Sequence, residues 1–180
     1  MNRRTFLGAA VASLVAGACS PAPKAVSTTA PATPSPTPGP PATKATVELV
    51  KGGSFSFTLR ADKAPQTVAR FAQKARAGFY DNLTFHRVED WVVQGGDPLG
   101  NGTGGEKVPS EYNDLPFAIG ALGIARGQDP AINNGSQFFV TKKDSQFLNN
   151  QYTNFGMVTS GIDVVNGIKI GDRMKTIRIE

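Results

Sequence analysis

Few residues in this chain of 180 can support covalent or metal chemistry. His86 is the only histidine and Cys19 is the only cysteine. A structural zinc site takes about four Cys or His ligands, and a disulfide takes two cysteines. The sequence therefore excludes both within the chain, and we expect neither a metal nor a cofactor. A lone histidine is more often structural than catalytic, so His86 is interpreted as structural.

A glycine-rich segment at residues 100–105 has the G-x-G-x-x-G spacing of dinucleotide-binding sites. In those sites a strand precedes the glycines and a helix follows them, so that the helix N-terminus faces the pyrophosphate. Here Pro98 comes just before the segment and Pro109 soon after it, which fits neither neighbour. We interpret the segment as a flexible glycine loop.

Two further segments are polar without indicating nucleophilic catalysis. Ser136 lies in residues 135–139 (GSQFF), which lack the G-x-S-x-G pattern of a nucleophile elbow. On spacing alone this segment is interpreted as a strand with one phenylalanine in the core. Arg87 is, on the same grounds, a solvated surface charge.

The elements that must position these residues are mostly strands. Residues 46–50 and 54–59 flank a Gly-Gly pair, and the second run alternates apolar and polar residues. This pattern predicts a hairpin with one buried face. Pro65 suits the first turn of a helix, Gly78 provides a stop, and the apolar residues between them have helical spacing.

The remainder of the chain continues this strand-rich pattern. Further strands are predicted over residues 83–88, 91–94, 119–125, 138–141, 155–158 and 176–179, and a second helix over 162–168. Short strands at this spacing indicate a closed barrel or a sandwich.

Five motifs follow one another in a fixed order along the chain. They are residues 85–88 (FHRV), 93–97 (VQGGD), 101–105 (NGTGG), 135–139 (GSQFF) and 155–156 (FG). In this combination, and over residues 46–179, the chain resembles a cyclophilin. The resemblance implies a mainly β fold, a closed eight-stranded antiparallel β-barrel capped by two α-helices. It also implies peptidyl-prolyl cis/trans isomerase activity without a cofactor.

The family pattern implies a role for particular residues. Arg87 matches the catalytic arginine, and Gln94 matches the amide that helps hold it and contacts the substrate backbone. The implied substrate-binding residues are Trp91, Val92, Ala125, Arg126, Gln137, Phe139, Phe147, Leu148 and Tyr152. In the family pattern Ala125 and Arg126 belong to the strand edge that pairs with the peptide, and Phe139 and Leu148 grip the proline ring.

Several positions depart from the family pattern. The turn at Glu89 and Asp90 is shorter than usual, and Trp91 stands where Phe is common. Phe147 occupies a position that is Trp in cyclosporin-sensitive members, and Tyr152 one that is often His. We therefore expect cyclosporin to inhibit this protein weakly.

Residues 1–18 are typical of an export signal. Arg3 and Arg4 resemble a twin-arginine signal, and the uncharged run at residues 9–18 is shorter than the roughly 20 residues of a membrane-spanning helix. Residues 15–19 (VAGAC) resemble a bacterial lipobox, so we expect Cys19 to carry a lipid. The alternative is an incidental cysteine beside an ordinary cleavage site.

Residues 19–44 are rich in Pro, Ala and Thr, which predicts a disordered tether before a domain at 45–180. The formal net charge is +5, and removal of the two N-terminal arginines leaves +3. Nothing in this charge requires nucleic acid. The predicted partners are proline-containing segments of unfolded or exported proteins, and the membrane through the lipid. We expect a monomer on the extracytoplasmic side of the cell membrane.

Three functions remain open from the sequence. The leading hypothesis is an isomerase that assists the folding of exported proteins. Its rival is a peptide-binding or chaperone module of the cell envelope with incidental isomerase activity. A third is a structural envelope protein that uses the barrel as a scaffold. Arg87 and Gln94 favour the enzyme.

Overall fold

The chain folds around one antiparallel sheet. A computed structural model of the protein describes residues 42–180. The strands are β1 (Lys44–Leu49), β2 (Ser54–Leu59), β3 (Phe85–Val88), β4 (Val92–Gly95), β5 (Lys107–Pro109), β6 (Ala121–Arg126), β7 (Ile132–Thr141), β8 (Asn154–Ser160) and β9 (Met174–Ile179). The helices are α1 (Pro65–Arg76), α2 (Ile162–Asn166) and a short 3₁₀ helix (Gln146–Leu148).

Strands β1 and β2 form the predicted hairpin. They pair antiparallel, and the turn between them passes through Gly52 and Gly53 at φ values of 93° and 87°. This left-handed region favours glycine, which has no Cβ to clash with the backbone. Phe55, Phe57 and Leu59 alternate along β2 and are buried. The predicted buried face of the hairpin is therefore confirmed.

Helix α1 begins at Pro65, as predicted, and packs its apolar face into the core. Its buried side chains are Thr67, Val68, Phe71, Ala72 and Ala75. Ala64, which precedes the helix, supplies no side-chain cap. Instead, Glu111 accepts hydrogen bonds from the backbone N–H of Gln66 at 3.0 Å and of Thr67 at 2.6 Å. A carboxylate from a distant loop thus satisfies N–H groups that the helix itself cannot pair.

The sheet is an open half-barrel. Eight strands follow the order β3-β4-β7-β6-β8-β2-β1-β9, and β5 pairs with β7 off this path. The predicted eight antiparallel strands with two α-helices are thus confirmed, but the predicted closure is wrong. Within residues 42–180 the end strands β3 and β9 share no ladder, and an isolated bridge between Thr84 and Arg173 links their starts. Four backbone hydrogen bonds join residues 82–85 to residues 171–174 around this bridge, but β3 and β9 themselves form no ladder.

Strand β5 and the first part of β7 were not predicted. Strand β7 begins at Ile132, whereas the sequence predicted a strand from residue 138. The added residues include an Asn-Asn-Gly run, which by composition favours a turn. Pairing of Asn134 with Lys107 in β5 holds them extended, so tertiary contacts override local preference. The other predicted strands and helix α2 are present, with ends that differ by at most two residues.

Two clusters of buried side chains lie on opposite faces of β7. The larger contains Phe71 and Phe138, which meet edge to face at 5.6 Å between ring centroids. The smaller consists of Val92, Phe117, Ala121, Ala125, Phe139 and Leu148. Successive side chains of a strand point to opposite faces, so adjacent Phe138 and Phe139 reach different clusters. Most of the apolar site residues implied by the family pattern belong to the smaller cluster.

The predicted export signal, Cys19 and nearly all of the predicted tether lie outside the described residues. Thr43, which precedes the predicted domain start at residue 45, donates its N–H to the carbonyl of Glu180 at 2.9 Å. Between residues 42 and 180, no helix has the length and hydrophobicity needed to span a bilayer.

Candidate active site

The β3–β4 hairpin brings Arg87 and Gln94 side by side. The two residues pair in the antiparallel register, and Nη1 of Arg87 donates to Oε1 of Gln94 at 3.4 Å, a long hydrogen bond. Nε2 of Gln94 donates to Oε1 of Gln137 at 2.9 Å, and Gln137 donates to the carbonyl of Gly104 at 2.8 Å. This polar relay begins on the glycine loop and ends at the guanidinium.

Glu89, in the turn of the same hairpin, contacts Arg87 and Trp91. Its Oε1 accepts from Nε of Arg87 at 2.7 Å, and its Oε2 accepts from the indole Nε1 of Trp91 at 2.9 Å. The hydrogen bond from Arg87 holds the pKa of Glu89 below its usual value. The guanidinium carbon of Arg87 lies 5.4 Å from the centre of the indole, a cation–π distance.

An apolar wall faces these polar groups. Phe139 is buried, stacks on Phe117 with ring centroids 5.7 Å apart, and meets Tyr152 edge to face at 5.7 Å. Leu148 on the 3₁₀ helix belongs to the same cluster. Gly123 pairs with Phe139 across β6 and β7, and a Cβ there would lie 2.6 Å from Cε1 of the ring. The absence of a side chain at Gly123 therefore makes room for the ring.

The end of β6 supplies Ala125 and Arg126. Strand β6 pairs with β8 only as far as Gly123, so its last residues extend beyond β8. Arg126 donates from Nε to the carbonyl of Gln151 at 2.9 Å, and its guanidinium carbon lies 4.5 Å from the ring centre of Tyr152. Arg126 is thereby fixed across the rim of the site.

These walls enclose a cavity of about 380 Å³. A second cavity, of about 470 Å³, adjoins it and shares Gln94, Gly102, Ala125 and Arg126 with it. Two neighbouring cavities that share a strand edge can accommodate an extended peptide, with one side chain in each. The first cavity, with Phe139 and Leu148 on one wall, suits a ring, and the second, lined by residues such as Asn133, suits a residue beside it.

His86 lies next to Arg87 and lines the first cavity. Its side chain is half-buried, and neither ring nitrogen has a hydrogen-bond partner among residues 42–180. Burial lowers the pKa of the imidazole, opposed by the nearby Asp97 and assisted by the positive charge of Arg87. The lowered pKa favours the neutral imidazole, and the structural role of His86 stays a prediction.

The glycine loop is organised around the buried carboxylate of Asp97. This carboxylate accepts hydrogen bonds from the N–H groups of Leu99 at 3.0 Å, Asn101 at 2.8 Å and Gly102 at 2.5 Å. Burial raises the pKa of Asp97, but these three donors outweigh it and the net shift is downward. A Cβ at Gly104 would overlap the carboxylate. Strand β5 follows the loop, so no helix begins at its end.

The structure gathers nearly all the residues that the family pattern implied. Every one except Gln137 and Phe147 lines the first cavity, and Gln137 lines the second. Phe147 stands outside both linings, 62 % exposed, with its ring 5.3 Å from that of Trp91. Asn101 and Gly102 also line the first cavity, although the sequence assigned them only to a motif. Glu89 was noted only as part of a short turn.

The chain is similar in sequence to known peptidyl-prolyl cis-trans isomerases. A family model described as cyclophilin type peptidyl-prolyl cis-trans isomerase/CLD matches residues 45–180. Peptidyl-prolyl cis-trans isomerase B of Bacillus subtilis is 44% identical over 138 residues, which covers 73% of this chain and 94% of that protein. A peptidyl-prolyl cis-trans isomerase of Synechococcus elongatus is 38% identical over 143 residues, covering 76% of this chain and 96% of that protein.

Solved structures show the same similarity. A cyclophilin-type isomerase of Cryptosporidium parvum superposes with a TM-score of 0.71 at 28% sequence identity, covering 77% of this chain and 98% of that chain. A second crystal structure of that protein, determined in the presence of the dipeptide Ala-Pro, gives a TM-score of 0.69 at 28% identity and covers 76% of this chain and 98% of that one.

Proposed function

This chain belongs to the cyclophilin-type peptidyl-prolyl cis-trans isomerases, and we propose that it uses Arg87 and Gln94 to isomerise X-Pro bonds of exported proteins. The observation that carries the assignment of residues is the single cavity in which Arg87, Gln94 and Phe139 meet. A guanidinium, an amide and an apolar surface are what this reaction needs, since no bond to the substrate is formed or broken.

The reaction is slow without a catalyst because amide resonance sets a barrier of about 18–20 kcal/mol to rotation. As the bond twists, resonance is lost and the prolyl nitrogen regains its lone pair. A hydrogen-bond donor directed at that nitrogen stabilises the twisted state and not the planar one, so it lowers the barrier. The guanidinium of Arg87 is charged throughout the physiological pH range and can donate in this way.

The rest of the cavity holds the peptide while the bond turns. The proline ring packs on Phe139 and Leu148, which are buried and apolar. The backbone N–H and C=O of Ala125, on the part of β6 that extends beyond β8, pair with the substrate backbone. Gln94, held by Gln137 at 2.9 Å, contacts the substrate carbonyl. Fixing the ring on one side lets the other side of the bond rotate.

The test is the rate of cis-to-trans conversion of a proline-containing peptide with the wild type and with Arg87→Ala. Removal of one donor that acts on the transition state typically costs about 10²- to 10³-fold in rate, and we expect a loss of that size. A variant that retains the wild-type rate would remove Arg87 from the mechanism. A wild type no faster than the uncatalysed reaction would instead favour the peptide-binding alternative.

The cellular setting is proposed from the sequence alone. The twin-arginine pattern, the lipobox at Cys19 and the proline-rich tether support an exported lipoprotein that holds the domain at the outer side of the cell membrane. Substrates there are extended segments of proteins that have just crossed the membrane, in which X-Pro bonds are still isomerising. We propose that the protein acts there as a monomer.

A further inference from the structure

We propose that Glu89 is a positioning residue for the isomerisation, because its carboxylate fixes the guanidinium of Arg87 against Trp91. This inference rests on the catalytic role proposed for Arg87. Each oxygen of the carboxylate has its own donor, Nε of Arg87 at 2.7 Å and Nε1 of Trp91 at 2.9 Å. One carboxylate thus links the proposed catalytic group to the aromatic wall of the cavity.

The backbone around Glu89 is fixed on both sides of the turn. The N–H of Glu89 donates to the carbonyl of Val92 at 2.8 Å, and Nζ of Lys142 donates to the carbonyl of Glu89 at 2.7 Å. The N–H of Lys142 also donates to the carbonyl of Trp91 at 2.7 Å. The carboxylate therefore starts from a defined position, and its reach determines where Nε of Arg87 must lie.

Fixing Nε orients the whole guanidinium, because the group is planar and rigid. An arginine side chain has five N–H donors. Contacts among residues 42–180 use two of them, one on Glu89 and one on Gln94, which leaves three. With Nε held at the turn, the remaining donors are presented at the edge of the cavity that Arg87 lines. Without Glu89, the long bond to Gln94 at 3.4 Å would be the main polar restraint.

Loss of the Glu89 carboxylate should lower the catalysed isomerisation rate and leave the free energy of unfolding nearly unchanged. The side chains of Arg87 and Glu89 are 43% and 45% exposed, and ion pairs as exposed as this contribute little to stability. Misplacement of a reacting group by about 1 Å, in contrast, can reduce a rate by about 10²-fold. A carboxylate beside Arg87 also offsets part of the electrostatic potential of its positive charge at the substrate, which opposes catalysis. The two effects have opposite signs, so the direction of the change decides between them.

The inference also predicts that the catalysed rate falls at acidic pH. The hydrogen bond from Arg87 lowers the pKa of Glu89 from its usual value, so the carboxylate is ionised at neutral pH. As the pH falls through this lowered value, Glu89 is protonated and the restraint on Arg87 is lost. The other charged groups around the turn are Lys142, and Asp90 with its partner Lys143. His86 is adjacent in β3, so its titration must be separated from that of Glu89.

The experiment compares Glu89→Gln with a matched control, Asp90→Asn, in the full-length protein. Both variants remove one negative charge from the same turn. Asp90 is 95% exposed and its ion pair with Lys143 is 3.9 Å long. We expect Glu89→Gln to lower the catalysed rate on a proline peptide about tenfold or more, and Asp90→Asn to stay within about twofold. Thermal unfolding of both variants should match the wild type, as expected for exposed charges.

The hydrogen bond between Trp91 and Glu89 can be followed directly by NMR spectroscopy. Trp91 is the only tryptophan in the chain, so its indole N–H gives a single resonance in an NMR spectrum. We expect this resonance to shift in Glu89→Gln and to remain in place in Asp90→Asn. Acidification should shift the wild-type resonance as Glu89 is protonated, and Glu89→Gln should lack that step while His86 still titrates.

A double variant tests whether Glu89 acts through Arg87. In an Arg87→Ala background, Glu89→Gln should cause no further loss. The inference is overturned if Glu89→Gln is as fast as the wild type or faster, or if its effect persists without Arg87. If Arg87→Ala itself retains the wild-type rate, the catalytic role of Arg87 fails together with this inference. If Arg87→Ala loses rate as expected but Glu89→Gln does not, this inference is overturned and the catalytic role of Arg87 stands.

Discussion

Arg87 is held by three different kinds of contact. Its Nε donates to Glu89, its Nη1 donates to Gln94, and its guanidinium carbon lies 5.4 Å from the centre of the Trp91 ring. An arginine on a surface strand would otherwise sample many rotamers, which would have to be lost on substrate binding. At the scale of single residues, these contacts therefore restrict the guanidinium of Arg87 to a narrow range of positions.

The expected response to cyclosporin rests on Tyr152, which lines the first cavity, and on Phe147, which lies beside it against Trp91. Both residues differ from those common in cyclosporin-sensitive members of the family, and Phe147 is 62 % exposed beside Trp91. We expect weak inhibition of the wild type in a peptide isomerisation assay. We expect Phe147→Trp to strengthen it several-fold, because the larger ring offers more apolar area and an N–H donor.

The control for this prediction is Ile170→Trp. Ile170 is 69 % exposed and lies between α2 and β9, whereas Phe147 contacts Trp91 and precedes Leu148 of the first cavity. An added indole at Ile170 should therefore leave the inhibition unchanged. Inhibition of the wild type at nanomolar concentrations would contradict the prediction.

At the scale of elements, β6 carries a residue without a side chain where β7 presents a large ring. Gly123 lies opposite Phe139, and any side chain there would meet the Phe139 ring, which lines the first cavity. We expect Gly123→Ala to lower the free energy of unfolding by about 1–3 kcal/mol through overpacking. It should also raise KM for a proline peptide, since Phe139 must move into the cavity. Urea unfolding and steady-state kinetics measure the two effects.

Gly127→Ala is the matched control for stability. A Cβ at Gly127 meets no atom within 4 Å, so the free energy of unfolding should change by less than about 1 kcal/mol. Equal losses in the two variants would mean that steric contact with Phe139 is not the cause.

The start of helix α1 depends on a residue outside the helix. Glu111 accepts hydrogen bonds from the N–H groups of Gln66 and Thr67. We expect Glu111→Ala to lower the free energy of unfolding by about 1 kcal/mol, as the loss of a capping side chain commonly does. Thermal or urea unfolding would measure it.

A carboxylate in the same loop provides the comparison for Glu111. Asp114 pairs with Lys63 at 2.7 Å, and its side chain is 75% exposed. Asp114→Asn should therefore change the free energy of unfolding by no more than about 0.5 kcal/mol. If it cost as much as Glu111→Ala, general surface charge would explain both results and capping would not.

Local patterns could predict α1 and the β1–β2 hairpin because their signals lie within the elements. Pro65 and the alternation of Phe55, Phe57 and Leu59 do not depend on distant contacts. The N-terminal part of β7 could not be predicted in this way, since Asn133 and Asn134 are turn-type residues held extended by pairing with β5. Closure of the sheet was expected from the family resemblance, whereas an isolated bridge joins β3 to β9 in residues 42–180.

In the site, too, local patterns could not predict what depends on distant contacts. Spacing alone assigned Arg87 to the surface, because Gln94, Phe139 and Leu148 reach it only through the pairing of β3, β4 and β7 and the 3₁₀ helix. The ordered motifs of the family supplied what local spacing could not. Neither local spacing nor the family motifs predicted a role for Glu89. Its position two residues from an arginine and two from a tryptophan was a signal, but only the turn geometry shows that both donors reach it.

At the scale of the whole molecule, the open prediction concerns Cys19. If this cysteine carries a lipid, cells given a labelled fatty acid should incorporate the label into the wild type and not into Cys19→Ser. Ser20→Ala, which alters the adjacent residue, should retain the label. An unlabelled wild type would contradict the anchor proposed from the lipobox.

The way in which Asp97 organises the glycine loop has a consequence for anion binding. Successive backbone N–H groups that point into one concavity form an anion-binding nest, the device by which glycine-rich loops hold phosphate. Here the concavity already contains an anion, the chain's own Asp97 carboxylate, which receives three N–H donors. Of the three glycines in the G-x-G-x-x-G pattern, Gly102 donates to this carboxylate, so the protein's own Asp97 occupies the position that a phosphate takes in a dinucleotide site. Replacing Asp97 by glycine would empty the nest and expose those donors, so the variant should gain affinity for small oxyanions as it loses the order of this loop.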